Sequence, residues 1–90
     1  MRPATLAKVA ELAAGGDSFD RCLANFLDEF YAAPSMHALI AEPEALAPRF
    51  GELGGVQDAY LAAVAEELAR QFKLPCPLWA DSESRKLHRP

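Results

Sequence analysis

An apolar side chain recurs at every fourth position in the stretch from Val56 to Leu74. This spacing is typical of an α-helix that buries one face, so the stretch predicts the core helix on which the other helices pack. The members of the predicted buried face are Val56, Tyr60, Leu61, Val64, Ala65, Leu68 and Phe72. The residues predicted to face water are Asp58, Ala62, Glu66, Arg70 and Lys73. We expect Gly54 and Gly55 to mark the start of this helix, and Pro75 to end it because proline disfavours a helical residue before it.

A second amphipathic helix is predicted from Asp17 to Ala33, with Asp17 or Ser18 as its cap. Its apolar face is wide and aromatic, and consists of Phe19, Cys22, Leu23, Phe26, Leu27, Phe30 and Tyr31. Two interpretations stay open for this face. It forms the core, or part of it docks a partner helix, because a small domain cannot always cover so much aromatic area. Asp28 and Glu29 lie near the negative end of the helix dipole, which is compatible with an acidic contact patch.

Weaker helical signals flank these two segments. A short N-terminal helix is predicted before Ala14, with Thr5 as cap and one shared face of Leu6, Val9, Ala10 and Ala13. Residues 1–16 either dock on the core or form a semi-detached, partner-binding helix. Another short helix is expected from Met36 to Ala41, with Met36, Leu39 and Ile40 as its apolar set.

The remaining segments are a connector and a C-terminal arm. Residues 42–55 are predicted to connect the helices with one or two turns, the first opened by Pro43 and the last part a loop at Pro48 and Gly51. Residues 75–90 are predicted to form a proline-rich arm, because Pro75 and Pro77 favour an extended course. Leu78 and Trp79 are expected to fold back onto the core.

Together these patterns predict an all-α fold with three main helices, short helical turns and the C-terminal arm. A chain of 90 residues allows one domain, residues 1–90. Alanine is frequent and long β-branched runs are absent, which favours helix over sheet. The core of so short a chain is marginal, so a partner or a second copy is expected to complete it.

The charge distribution restricts the class of partner. The net charge is −4, and acidic residues outnumber basic ones between Glu11 and Glu67, whereas Arg85, Lys86 and Arg89 form a basic end. An acidic body repels phosphate backbones, so nucleic acid is not the expected partner. A basic protein is the expected partner instead. No membrane segment or signal peptide is evident, so membrane attachment is not predicted.

No residue pattern indicates a reaction. Cys22 and Cys76 are isolated and are predicted to be reduced thiols of a cytoplasmic protein. His37 and His88 lack zinc spacing, and no glycine loop for phosphate is present. A nucleophile–base pair of Cys22 with His37 is less expected than a buried thiol beside an unrelated histidine. The sequence therefore predicts no enzyme, no metal and no cofactor.

Three stretches carry a family resemblance: NFLDEFYAAPS, DAYLAAVAEELARQFKLPCPLWAD and RKLHRP. They resemble short bacterial helical proteins of toxin–antitoxin-type neighbourhoods over residues 18–90. The resemblance lies in helix faces and a Leu-Pro-x-Pro-x-Trp turn and carries over no functional residues. It implies a cytoplasmic, antitoxin-like protein that neutralises a basic toxin by occlusion. This chain lacks a recognisable DNA-binding module, so the resemblance does not imply autoregulation by it.

These observations lead to one functional hypothesis and one alternative. The first is a non-enzymatic protein-interaction module that binds a basic partner through hydrophobic helix faces with an acidic rim. The predicted anchors are Phe26, Phe30, Tyr31 and Trp79, because aromatic residues dominate interface hot spots. The predicted rim is Asp28 and Glu29. The alternative is a self-associating, homodimeric helical domain with a structural or scaffolding role.

Overall fold

Helices provide all the regular secondary structure in residues 3–81, the part of the chain that the computed structural model describes. The elements are α1 (Leu6–Ala14), α2 (Phe19–Ala32), α3 (His37–Ile40), α4 (Ala47–Phe50), α5 (Glu52–Phe72) and a 3₁₀ turn (Leu78–Asp81). The predicted all-α class with three main helices, α1, α2 and α5, is confirmed, and no strand occurs in this range. The basic end at residues 85–89 and His88 lie outside the described residues.

The chain divides after Glu44 into two compact units. The first unit contains α1, α2 and α3, and the second contains α4, α5 and the 3₁₀ turn. The single domain expected over residues 1–90 stays a prediction.

In the first unit, α1 has the limits and the face that its sequence predicts. The Thr5 side chain caps it by accepting a hydrogen bond of 3.0 Å from the Lys8 backbone N–H. The four residues of the predicted face are buried: Leu6, Val9, Ala10 and Ala13. Gly16, at φ 106°, closes the helix, because this conformation lets the Asp17 N–H reach the Leu12 carbonyl at 3.0 Å. Within its unit α1 packs on α2 and, less extensively, on α3.

The second helix starts at Phe19, after Ser18, whose hydroxyl accepts from the Arg21 N–H at 3.3 Å. Asp17 adds an ion pair with Arg21. The hydrogen bond from the Arg21 side chain, together with one from the Ser18 backbone N–H, lowers the pKa of the Asp17 carboxyl. The residues of α2 that are buried are Cys22, Leu23, Phe26 and Phe30. Tyr31, which the apolar pattern placed on the same face, lies on the surface because it is one residue, about 100°, further around the helix than Phe30.

The short elements that follow differ from expectation in their buried residues. Ser35 precedes α3, and its hydroxyl accepts a hydrogen bond of 3.2 Å from the N–H of His37, the first residue of that helix. Leu39 is buried as predicted, but Met36 and Ile40 are exposed. The connector contains one helical turn, α4, and Pro48 lies in it where a loop was predicted. Pro43, which was predicted to open a helical turn, opens none.

The long helix α5 starts four residues earlier than predicted, at Glu52, so Gly54 and Gly55 lie inside it. Gly54 is buried against the start of α4, and a Cβ atom built on it would lie 2.1 Å from the Leu46 carbonyl oxygen. The backbones of α4 and α5 therefore approach so closely that only glycine fits at position 54. Gly51, at φ 63°, makes the sharp turn between the two helices.

Asp58 is the second contact that joins α5 to α4. One of its carboxylate oxygens accepts from the Leu46 N–H at 2.8 Å and the other from the Ala47 N–H at 3.1 Å. Backbone N–H groups at a helix N-terminus have no partner within the helix, and a carboxylate satisfies them well. Asp58 is 2% exposed, so the prediction that it faces water is wrong.

The buried face of α5 is correspondingly rotated from the predicted one. It consists of Gly54, Asp58, Leu61, Ala62, Ala65, Leu68 and Ala69. Leu61, Ala65 and Leu68 were predicted correctly, but Ala62 was expected in water, and Val56 and Tyr60 were expected in the core and are half exposed. The reason is the contact with α4, which requires Gly54 and Asp58 to face inward and thereby turns Val56 and Tyr60 outward.

The C-terminal end of α5 confirms the role of Pro75. The helix ends at Phe72, and Lys73 adopts the left-handed conformation so that the Leu74 N–H bonds to the Ala69 carbonyl at 2.8 Å. After Pro75 the chain folds back towards α5, and the 3₁₀ turn packs on that helix. Trp79 is buried as expected, but Leu78 is 93% exposed, so its predicted return to the core is wrong.

Substituting Gly54 and Gly55 separately tests the close approach of α4 and α5. Gly54→Ala is expected to lower the free energy of unfolding by about 1–3 kcal/mol, because its methyl group meets backbone atoms that cannot move aside. Gly55→Ala is the matched control, since a Cβ there meets nothing within 4 Å. We expect it to raise stability by about 0.5–1 kcal/mol through its higher helix propensity. Urea denaturation followed by circular dichroism measures both, and similar values for the two variants would contradict this packing.

Replacing Asp58 by Ala tests its role as the cap of α4. The Leu46 N–H lies in a buried environment, so losing its acceptor is expected to cost about 1–3 kcal/mol. Glu66→Ala, which removes an exposed carboxylate from the same helix, is expected to change stability by less than about 0.5 kcal/mol. Amide hydrogen exchange at Leu46 and Ala47 should accelerate in the Asp58 variant only. Unchanged exchange at these two amides would show that Asp58 does not protect them.

Candidate functional site

The exposed end of α2 carries three of the predicted partner-binding residues. Asp28, Glu29 and Tyr31 are all exposed, and Tyr31 retains 53% of its accessible surface. The Tyr31 ring makes an edge contact with the Phe30 ring at a centroid distance of 6.3 Å. Phe30 is anchored in turn by Phe26, at 5.9 Å. Tyr31 lies three residues from Asp28 and shares its side of the helix, whereas Glu29 lies two residues away and points to a different side. We call Asp28, Glu29 and Tyr31 the α2 surface.

The other three predicted anchors lie in the interiors of the two units. Phe26 and Phe30 are buried in the first unit, and Trp79 is buried in the second. Of the two interpretations of the aromatic face of α2, these positions favour the core for Phe26 and Phe30. Direct contact of these rings with a partner stays a prediction.

An open pocket adjoins the α2 surface within the first unit. Its volume is about 340 Å³, and it is lined by Ala4, Thr5, Glu29, Phe30, Ala33, Ser35, His37 and Ala38. The end of α2 supplies Glu29 and Phe30, while the start of α3 supplies His37 and the segment before α1 supplies Ala4 and Thr5. The lining combines an aromatic ring and alanines with one carboxylate, one imidazole and two hydroxyls. It therefore suits a group that has both an apolar part and a charged or hydrogen-bonding end.

The two thiols have environments that do not favour nucleophilic chemistry. Burial, together with the nearby Asp17 charge, raises the pKa of the Cys22 thiol. Desolvation and the Glu66 and Asp81 carboxylates raise the pKa of Cys76. Because the thiolate is the reactive form, both cysteines are less reactive at neutral pH than an ordinary exposed cysteine.

Residues 3–81 contain neither a metal-binding cluster nor a membrane-spanning helix. No group of three or more His, Cys, Asp or Glu side chains in that range is arranged to hold a metal ion. None of the helices there is both long enough and apolar enough to cross a membrane.

Sequence reasoning missed two features of the surface. His37 was considered only for zinc spacing and as a partner for Cys22, whereas it lines the pocket with Glu29. The available signal was its position two residues after the Pro34-Ser35 break. The exposed apolar residues of α5 were also missed, because Val56 and Tyr60 were assigned to the buried face and Leu53 to the connector of residues 42–55. The spacing of Leu53, Val56 and Tyr60 contained the signal, since residues three and four apart share a helix face.

No family model, no curated protein and no solved structure matches this chain. The resemblance to proteins of toxin–antitoxin-type neighbourhoods therefore stays a prediction.

Alanine substitutions at Phe30 and Tyr31 separate the core from the surface at the end of α2. Phe30→Ala is expected to lower the free energy of unfolding by about 3–5 kcal/mol, because the ring is almost wholly buried. Tyr31→Ala removes a neighbouring, half-exposed ring and is expected to cost less than about 1 kcal/mol. Thermal and urea unfolding measure both values. Equal losses would mean that Tyr31 is part of the core.

Proposed function

We propose that this chain is a non-enzymatic interaction module that binds a basic protein partner at the α2 surface and the adjoining pocket. The observation that carries the proposal is the exposure of Asp28, Glu29 and Tyr31 together at the end of one helix. Aromatic residues held rigidly at a surface are efficient contact residues, because little side-chain entropy is lost on binding.

The electrostatics of this end of α2 favour a cation. The last turn of α2 contains no basic residue, and Asp28 and Glu29 both lie near this end of the helix. The backbone carbonyls at a helix C-terminus add partial negative charge in the same place. A basic partner would be attracted to this concentration of negative charge. Electrostatic attraction would also raise the rate of association.

The pocket fits a lysine or arginine side chain of the partner. Ala4 and Ala33 are the exposed apolar residues of the lining and would contact the methylene groups, and Glu29 offers a carboxylate to the charged end. Long basic side chains bind in this way, with the stem against apolar surface and the charge near water. A volume of about 340 Å³ is ample for one such side chain.

From the resemblance to proteins of toxin–antitoxin-type neighbourhoods, we propose that the basic partner is a toxin. This antitoxin-like chain would neutralise the toxin by covering its functional surface in the bacterial cytoplasm. The acidic composition of the chain, with a net charge of −4, supports a basic partner.

Affinity capture followed by calorimetry tests the proposal. The full chain is used to capture proteins from the source cells, and the captured protein is then purified and titrated against defined variants. We expect a protein with a basic isoelectric point, and we expect Glu29→Gln or Asp28→Asn to weaken binding by about tenfold each. Tyr31→Ala should weaken binding comparably while leaving the fold intact.

Asp20→Asn is the matched control for these variants. It removes one exposed carboxylate from the same helix, but in the first turn. Its affinity for the partner should stay within about twofold of the original, because exposed charges more than a Debye length apart are screened. Equal losses for Asp20→Asn and Glu29→Gln would indicate general charge attraction and contradict a defined surface. Capture of an acidic protein, or retention on DNA at physiological salt, would contradict the proposal as a whole.

A further inference from the structure

The pocket beside the α2 surface is lined by two side chains that can carry charge, one acidic and one basic. Glu29 comes from α2 and His37 from the first position of α3, and both residues are exposed. The other described residues of the lining are uncharged: Ala4, Thr5, Phe30, Ala33, Ser35 and Ala38. The net charge of this lining therefore depends on whether the imidazole of His37 is protonated.

The backbone at His37 is fixed by local hydrogen bonds and by the residues that follow it. Its N–H donates to the Ser35 hydroxyl at 3.2 Å, and the Ala38 N–H donates to the Ser35 carbonyl at 3.1 Å. Ala38 and Leu39 are buried, which ties α3 to the interior of the first unit. His37 is therefore held at the pocket by its neighbours while it remains exposed to solvent, with which it exchanges protons.

Protonation reverses what an imidazole offers to a cation. The neutral ring has one nitrogen that accepts a hydrogen bond, whereas the protonated ring has two donors, no acceptor and a positive charge. Histidine is the side chain that ordinarily changes charge between about pH 5 and pH 8. We propose that His37 makes this pocket bind a lysine or arginine side chain above neutral pH and release it in mild acid. The inference rests on the proposed function, because the ligand is the basic side chain of the partner.

The charges around the pocket act in the same direction. In acid, the positive ring of His37 repels an incoming cation and also competes with it for the Glu29 carboxylate. The helix α1 packs on α3 as well, but its two charged residues, Lys8 and Glu11, form an ion pair with each other and do not line the pocket. Among the described residues, Glu29 is therefore the charged group that shares the pocket with His37.

Titration of the full chain with N-acetyl-argininamide, followed by NMR at about pH 7.5 and about pH 5.5, tests the inference. The guanidinium of this probe stays charged at both values, and carboxylic acids are ordinarily still ionised at the lower one. The amide signals of Glu29, Ala33 and Ala38 report occupancy of the pocket. We expect the dissociation constant to be at least about fivefold larger at the lower pH, because the protonated ring disfavours the bound state.

His37→Gln and Met36→Gln are the matched variants. Both replace an exposed residue at the start of α3, but Met36 does not line the pocket. We expect His37→Gln to bind the probe equally, within about twofold, at the two pH values, because glutamine does not titrate. Met36→Gln should keep the pH dependence of the original chain. Circular dichroism at both pH values verifies that the chain and its variants are folded.

The outcomes separate this inference from the proposed function. Equal affinity of the original chain for the probe at both pH values would overturn the role of His37 and leave the basic side-chain pocket in place. A pH dependence that persists in His37→Gln would overturn it too, because another group would then be responsible. If the probe shifts none of the pocket amides at about pH 7.5, the pocket does not bind a basic side chain, and the inference fails together with that part of the proposed function.

Discussion

The buried carboxylate of Asp58 is the contact on which the second unit depends. It accepts hydrogen bonds from the N–H groups of Leu46, the N-cap of α4, and Ala47, its first residue. Asp58 lies one turn along α5 from Gly54, where the two backbones touch. A buried carboxylate is costly unless its oxygens are satisfied, so Asp58 can point in only one direction. Because α5 is rigid, this direction sets which of its faces is buried over all 21 residues. The exposure of Val56 and Tyr60 follows from the same constraint.

The first unit is held differently, by local caps and by a small number of large side chains. Thr5 and Ser18 satisfy the starts of α1 and α2, and Gly16 closes the end of α1. A helix of nine residues is marginal in isolation, so α1 owes its stability to the burial of Leu6 and Val9 in the unit. The buried side of α2 carries the large rings of Phe26 and Phe30. With these rings inside, Asp28, Glu29 and Tyr31 are left exposed near the C-terminal end of α2.

Local patterns predicted much of the fold. The limits of α1 and α2 and the buried face of α1 could be derived because each depends on neighbours in sequence, through capping and the 3.6-residue period. The end of α5 was also predictable, since Pro75 acts within two residues. The candidate site was predicted only in part. Asp28, Glu29 and Tyr31 were identified from helix position and residue type, but the pocket beside them joins residues from three segments, and no local pattern indicates which segments meet.

The sequence by itself determined that this chain is helical and where its main helices lie, because helix propensity, capping and proline act over a few residues. The tertiary structure decided which side of α5 is buried. Two apolar rows compete on that helix, one through Leu61, Ala65 and Leu68 and one through Leu53, Val56 and Tyr60, and hydropathy does not distinguish them. The choice is made by the contact with α4. The Leu46 carbonyl comes close to Gly54, and the Leu46 and Ala47 N–H groups reach the Asp58 carboxylate, only once the chain has turned back on itself.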